Sequence, residues 1–162
     1  MRKSLIAALL AGLAAAAPAL AGTATGQFDV TATVLDNCAV TASDLNFGNY
    51  APSSGTAVTA STTLQVVCTP SLAYTIALDG GTTTGAVAAR AMSDGGAGQL
   101  AYGLYTSSAY STIWGDGTGA TQRVAGTGSG AAQPHTVYGR IPASQFVAAG
   151  SYSDRITVTV SY

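Results

Sequence analysis

The sequence has 162 residues, only 8% of them charged, and it is rich in Gly, Ala, Ser, Thr and Tyr. This length suits one domain, and the composition is typical of an extracellular β-protein. Without the first 21 residues, four Arg face seven Asp, so the net charge is −3. So few cations cannot neutralise a row of phosphates, which disfavours nucleic acid and anionic membrane surfaces as partners.

The first 21 residues have the features of a signal peptide. Arg2 and Lys3 form a positive start, an apolar stretch follows at residues 5–17, and small residues precede a predicted cleavage after Ala21. The apolar stretch is too short for a good membrane-spanning helix, and no cysteine follows the cut to carry a lipid. We therefore expect an exported protein.

A two-residue period dominates the remaining chain and predicts β-strands. It is clearest at residues 28–34 and 155–162, where apolar side chains alternate with polar ones. Further strands are predicted where β-branched and aromatic residues cluster, at residues 62–68, 72–78, 100–105 and 136–141. The apolar positions of the first and last strands are Phe28, Val30, Ala32 and Val34, and Ile156, Val158, Val160 and Tyr162.

Glycine-rich turns separate these segments, at residues 79–81, 94–96, 115–119 and 126–130. No segment after residue 21 has a sustained helical period with caps. The fold class predicted from the pattern is an all-β, antiparallel sandwich.

Cys38 and Cys68 are the only cysteines. In an exported protein, the default expectation is a disulfide between them. A metal site is disfavoured because the single His135 is distant in sequence and there is no second cysteine pair.

Enzymatic function is disfavoured because the usual catalytic parts are missing. His135 follows Pro134 at the end of a loop, where we expect it to be exposed, and no Gly-x-Ser-x-Gly elbow is present. Residues 115–120 and 126–131 match a dinucleotide fingerprint formally, but no helix is predicted behind either of them. Asp116 lacks the ligand spacing of a calcium loop. We therefore predict no catalytic residue, no cofactor and no metal.

Trp114 and the tyrosines suggest a further hypothesis, because aromatic rings in glycine-rich loops can stack on sugars. Packing in the core is the competing interpretation of the same residues.

A series of short motifs resembles the spore coat protein U domain family, which includes the archaic chaperone-usher pilus subunits. The motifs span the chain in the family's order: Gly26-Gln27-Phe28-Asp29-Val30, Cys38, Phe47-Gly48-Asn49-Tyr50, Cys68, Tyr102-Gly103-Leu104-Tyr105, Trp114-Gly115-Asp116-Gly117, Val137-Tyr138-Gly139-Arg140-Ile141 and Gly150-Ser151-Tyr152-Ser153-Asp154.

The resemblance implies an incomplete immunoglobulin-like fold that lacks its last strand. Residues 22–36 would be an N-terminal donor strand, and residues 37–162 the incomplete domain. Phe28, Val30, Ala32 and Val34 would enter a neighbour's groove. Ile156, Val158, Val160 and Tyr162 would line the subunit's own groove and pair with a periplasmic chaperone before an outer-membrane usher assembles the fibre.

Three function classes therefore stay open. The first is a structural subunit of a surface fibre that serves adhesion or biofilm formation. The second is a spore coat or matrix protein of the same family that needs no usher. The third is a secreted carbohydrate-binding sandwich, a soluble monomer whose sugar affinity depends on Trp114. A separate alternative to strand exchange is that the N-terminal strand pairs within its own domain and gives a closed monomeric sandwich.

Overall fold

The computed structural model describes residues 21–162, so the predicted signal peptide, apart from Ala21, lies outside the described residues. The chain divides into two units, residues 1–33 and 34–162. In the described part of the first unit, residues 21–33, there is no helix or strand and every residue is exposed. The strand predicted at residues 28–34 is thus absent from the chain as it stands.

The second unit is built from short strands. Its elements are β1 (Cys38–Ala42), a 3₁₀ turn (Pro52–Ser54), β2 (Val58–Cys68), β3 (Ala73–Leu78), the single-turn helix α1 (Gly81–Thr84), β4 (Ala91–Ser93), β5 (Gln99–Ala101), β6 (Gly103–Tyr105), β7 (Val124–Thr127), β8 (Gln133–Ile141) and β9 (Val158–Ser161). No helix among the described residues is long and apolar enough to cross a membrane.

All strand pairs are antiparallel and form two main sheets. The larger sheet has the order β1-β2-β8-β6, the smaller one β7-β3-β9, and β4 pairs with β5 in a separate ribbon. β2 and β8 form the longest ladder, with Val58 opposite Ile141 and Val66 opposite Gln133. The all-β antiparallel class predicted from the sequence is confirmed.

Alternation along the strands places one face of each sheet in a shared core. Leu64 and Val66 of β2, Ile76 and Leu78 of β3, and Val137 of β8 are buried there, while their chain neighbours point outward. Trp114 lies in the same cluster. The two sheets therefore pack face to face, as in a sandwich.

Several sequence-based boundaries need correction. The segment predicted as one strand at residues 100–105 is divided at Tyr102, because β5 pairs with β4 in the ribbon and β6 pairs with β8 in the larger sheet. The Tyr102 amide donates to the Arg90 carbonyl and so continues the ribbon. β7 includes Gly126 and Thr127, which were predicted as a turn, because Gly126 pairs with Tyr74 and a side chain there would collide with the Tyr74 ring. Neither β1 nor β4 was predicted.

Candidate strand-acceptor groove

The two sheets are open along one side of the sandwich. β1 is an edge of the larger sheet and β9 an edge of the smaller one. These strands approach each other, but within residues 21–162 no ladder of hydrogen bonds joins them. Each strand therefore presents one row of backbone NH and CO groups that have no strand partner in this part of the chain. Such unpaired groups are typical of an edge that can pair with another strand.

The apolar side chains along this opening are only half-buried. Val40 of β1 and Ile156, Val158 and Val160 of the last segment point toward the core, yet they remain partly exposed. In the closed part of the sandwich, the equivalent positions are fully buried, as Val66 and Ile76 show with 0% exposure each. We call the opening bounded by β1 and residues 152–161 the groove.

A cavity of about 470 Å³ lies in the groove. Core side chains form its floor, namely Leu64, Leu78, Leu104 and Val137, each at most 4% exposed. The remaining wall is contributed by Leu45 and Phe47, which lie between β1 and β2, and by Tyr152, Ile156 and Val158. The groove thus gives an apolar side chain access to the core.

One end of the groove is polar and is built around Asp154. One of its carboxylate oxygens accepts from the Tyr102 hydroxyl (2.7 Å), and the other accepts from the Thr83 amide and the Thr82 and Thr83 hydroxyls (3.1 Å each). A side chain at Gly81, whose φ is +77°, would collide with this carboxylate. The chain therefore needs glycine at this position to bring the two segments together.

The pKa of Asp154 shows how well the carboxylate is held. Partial burial acts to raise the pKa, but the hydrogen bonds from Tyr102, Thr83 and neighbouring groups outweigh it, and the pKa lies below its usual value. Burial of Tyr102 is the main cause that raises the pKa of its hydroxyl, and the hydrogen bond to the Asp154 carboxylate raises this pKa further. Tyr102 therefore stays protonated and Asp154 ionised at neutral pH.

A second carboxylate extends the pairing of β3 with β9 toward α1. Asp79 accepts from the amides of Thr157 (2.9 Å) and Gly81 (3.0 Å), and its own amide donates to the Thr157 carbonyl (3.1 Å). The Thr82 amide donates to the Arg155 carbonyl at 3.2 Å. Together, Asp79 and Asp154 fasten residues 154–157, the wall of the groove, to the turn at residues 79–84.

Arg90 closes the core behind this turn. It is 1% exposed, and its guanidinium donates to the carbonyls of Asp79 (2.8 Å), Leu78 (3.2 Å) and Trp114 (2.9 Å). Burial lowers its pKa, and the nearby Asp79 and Asp154 carboxylates act in the opposite direction. Because three backbone carbonyls share this cation, it joins the end of β3 to the Trp114 segment.

The structure joins Cys38 and Cys68 in the expected disulfide, and the two residues are also register partners across β1 and β2. The bond therefore ties one edge of the groove to the centre of the larger sheet. Of the residues predicted to line the groove, Ile156 and Val158 line its cavity and Val160 packs against the core. Tyr162 lies beyond the end of β9 and is 59% exposed.

The predicted donor residues are all exposed, with Phe28, Val30 and Val34 at 84–86% and Ala32 in the same class. A strand whose apolar face has no cover gains nothing from its alternation, which accounts for the lack of a strand in this segment. Their role as donor residues stays a prediction.

Two aromatic residues differ from their sequence-based interpretation. Trp114 is 1% exposed and its indole NH donates to the Ile76 carbonyl at 3.0 Å, so it has no ring face for a sugar. His135 lies within β8, not at the end of a loop, and its Nε2 is 2.9 Å from the Tyr74 hydroxyl. Burial lowers the pKa of His135. Both residues therefore bond to core residues of the sandwich, Trp114 to Ile76 and His135 to Tyr74.

Sequence signals did exist for some of the polar groove residues. Asp154 immediately precedes the alternating segment at residues 155–162 and shares the inward parity of Ile156, which marks it as a partly buried carboxylate in need of donors. Nothing in the sequence indicates that its donors come from residues 82, 83 and 102. No group of three or more His, Cys, Asp or Glu side chains within residues 21–162 could hold a metal ion.

An antiparallel sandwich with an open, apolar side defines a class of β-proteins that can accept a strand from outside. The chain belongs to the Spore Coat Protein U domain family, whose profile matches residues 24–159. It is 32% identical over 167 residues to Protein U of Myxococcus xanthus, a match that covers 94% of this chain and 92% of that protein.

The fold is similar to a chain in a crystal structure from Acinetobacter baumannii. That structure is the CsuC-CsuE chaperone-tip adhesion subunit pre-assembly complex of archaic chaperone-usher Csu pili. The TM-score is 0.59 at 24% identity, and the match covers 80% of this chain and 40% of that chain. At this identity the likeness concerns the fold.

Proposed function

We propose that this protein is a structural subunit of a secreted surface fibre of the chaperone-usher type, not an enzyme, and that it polymerises by donating a β-strand. The observation that carries the proposal is the half-buried apolar face of β9 opposite β1. A folded domain that leaves core side chains accessible along two strand edges gains stability when another strand enters between them.

The occupant is the N-terminal segment of a second copy or of a homologous subunit. Phe28, Val30, Ala32 and Val34 recur at every second residue, so one face of an extended strand carries them all. Full burial of a Phe or a Val contributes about 1.5–3 kcal/mol, and each added ladder hydrogen bond about 0.5–1.5 kcal/mol. Before the cost of ordering the segment, the sum is large enough for a tight joint.

The same groove gives a periplasmic chaperone its binding site before assembly. β9 offers it a backbone edge that has no strand partner within residues 21–162, with Val158 and Val160 on its inward side, Ile156 just before it and Tyr162 just after it. The usher, export through the periplasm and a role in adhesion or biofilm formation follow from the proposed class, and the protein that shares the fold is described as a tip adhesion subunit in complex with its chaperone.

The experiment compares the chain with a variant that lacks residues 22–34. We expect the full chain to form ladders that resist mild denaturant and grow with concentration, and the deletion variant to stay monomeric. A peptide of residues 22–36 added to the deletion variant should bind and raise its thermal midpoint. The matched control is the same peptide with V30D, which should not bind, because a carboxylate in an apolar groove lacks a partner.

Stable fibres formed by the deletion variant would show that strand exchange through this segment is wrong. A deletion variant that is protease-resistant and indifferent to the peptide would show that the domain is complete without a donor.

The second candidate function is a coat or matrix protein that uses the same strand exchange without an usher. The similarity to Protein U over almost its whole length favours it. Chaperone and usher genes next to the gene for this chain would support the pilus, and their absence the coat.

A further inference from the structure

The outward face of the larger sheet carries a small aromatic cluster around one cation. Thr, Ser, Gln and Val dominate this face along β2, and Arg140 of β8 is the one Asp, Glu, Lys or Arg on the four strands of this sheet. Tyr138 and Arg140 point outward from β8, and Tyr105 does so from β6, paired with Tyr138. This face lies apart from the apolar interior of the groove.

The rings and the guanidinium are fixed relative to one another. Tyr105 and Tyr110 meet edge to face with their centroids 5.5 Å apart, and the Arg140 Cζ lies 5.7 Å from the centroid of Tyr110. Tyr110 has a φ of +52°, which is uncommon for a bulky residue, and its amide donates to the Ser107 carbonyl at 3.1 Å. The turn therefore holds the Tyr110 ring under the cation at some cost in backbone energy.

Gly103 makes room for this arrangement. The ring of Tyr105 lies over Gly103, where a Cβ would come within 2.6–2.8 Å of the Tyr105 ring and hydroxyl. Gly103 and Tyr105 also line a surface cavity of about 340 Å³, together with alanines at positions 88, 89, 91 and 101. Arg140 is the register partner of Gly103, one strand away from this cavity. The cavity is at the small end of the range for small-molecule sites.

The guanidinium of Arg140 has hydrogen-bond donors that no residue in 21–162 uses. The side chain is exposed, and it makes no hydrogen bond or ion pair with any residue in 21–162. Its Cζ lies over the Tyr110 ring, and its NH groups have no acceptor within residues 21–162, so they are available to an outside partner. A planar guanidinium favours a carboxylate as that partner, through two parallel hydrogen bonds.

We propose that Tyr105, Tyr110 and Arg140 form a binding site for an anionic saccharide of the uronic acid type. The tyrosine rings offer faces and hydroxyls to a pyranose ring, the shallow cavity accepts it beside Gly103, and Arg140 binds its carboxylate. This site is separate from the groove and does not depend on strand exchange. It would give the protein affinity for acidic polysaccharide in a matrix or on a surface.

The test titrates the purified full-length protein with trigalacturonate by calorimetry, with maltotriose as the neutral trisaccharide and tetra-aspartate as a non-sugar polyanion. We expect saturable binding of trigalacturonate only. R140Q should weaken it at least tenfold, because the carboxylate loses a charge-assisted pair. Y110L should weaken it severalfold. The matched control is R123Q, at an exposed arginine outside both the cluster and the groove, which should bind as the parent does.

Three results would overturn the proposal: no saturable binding of trigalacturonate, equal binding of tetra-aspartate, or equal losses in R140Q and R123Q. Because Arg140 is exposed and makes no hydrogen bond or ion pair within residues 21–162, R140Q is expected to fold, and an unchanged thermal midpoint checks this.

Discussion

The closed centre of the sandwich and its open groove share the same alternation of inward and outward side chains, but the inward side chains of the two regions differ in burial. Where β2 lies between β1 and β8, its inward side chains are completely buried, as Val66 is at 0% exposure. β9 has β3 as its single strand neighbour within residues 21–162, and there Val158 and Val160 point inward in the same way and stay half-buried. The difference is one missing neighbour strand, so the protein's association site is made of ordinary core residues.

Of the substitutions considered, replacement of Trp114 should lower the free energy of unfolding the most. Its ring is 1% exposed and its NH donates to the Ile76 carbonyl, so W114A leaves a large cavity and removes that hydrogen bond. We expect the free energy of unfolding to fall by about 3–5 kcal/mol, measured by urea denaturation. The matched control is F146A, at an aromatic residue that is 79% exposed, which should change it by less than about 0.5 kcal/mol. Equal effects would contradict the buried position of Trp114.

Loss of the disulfide should weaken the groove side by a similar or somewhat smaller amount. The bond closes a loop across a sequence separation of 30 residues and attaches the edge strand β1 to β2. The double variant C38A/C68A should lose about 3 kcal/mol in urea denaturation. Dithiothreitol should lower the stability of the parent chain and leave the double variant unaffected. A parent chain that does not respond to reductant would speak against the bond.

Asp154 should contribute less, and in a pH-dependent way. D154N weakens the attachment of the groove wall to residues 82, 83 and 102 and should cost about 1–2 kcal/mol at pH 7. Because the folded pKa lies below the unfolded one, this stabilisation is present at neutral pH and is lost as the pH falls through the folded pKa. Denaturation at pH 7 and below pH 4 should therefore show the parent and D154N converging in acid.

The control for that comparison is D44N. Asp44 is exposed and its side chain has no hydrogen-bond partner within residues 21–162, so its replacement should leave the stability at pH 7 unchanged. A constant gap between the parent and D154N at every pH would mean that the variant acts through packing, not through the charge.

Phe28 should have the smallest effect on the stability of the lone chain. Its side chain is 86% exposed, so F28A should change the free energy of unfolding of the monomer by less than about 0.5 kcal/mol. The same substitution should strongly reduce the denaturant-resistant ladders, if the segment fills a neighbour's groove. T25A, a change in the same exposed segment, serves as the control. A monomer destabilised by more than about 1 kcal/mol would indicate that the segment closes its own domain.

The sequence predicted the interior of the sandwich better than its edges. The strands around Leu64, Ile76 and Val137 follow from alternation and β-branched residues, and the structure has β2, β3 and β8 there. β1 and β7 escaped prediction because they are short, and because their pairing comes from partners far away in sequence. Trp114 could not be placed from its glycine-rich surroundings, since its burial depends on Ile76 and Arg90.

By itself, the sequence determined the all-β class, the disulfide partners, the apolar face of the last strand and the family. These are local patterns or forced pairings: a period of two, two cysteines in one chain and a fixed order of motifs. Only the tertiary structure decided that the groove lies between β1 and β9, that Asp79 and Asp154 fasten its wall, and that Tyr105, Tyr110 and Arg140 meet on the outer face. Such contacts join residues dozens of positions apart, and their geometry exists only once the sheets have formed.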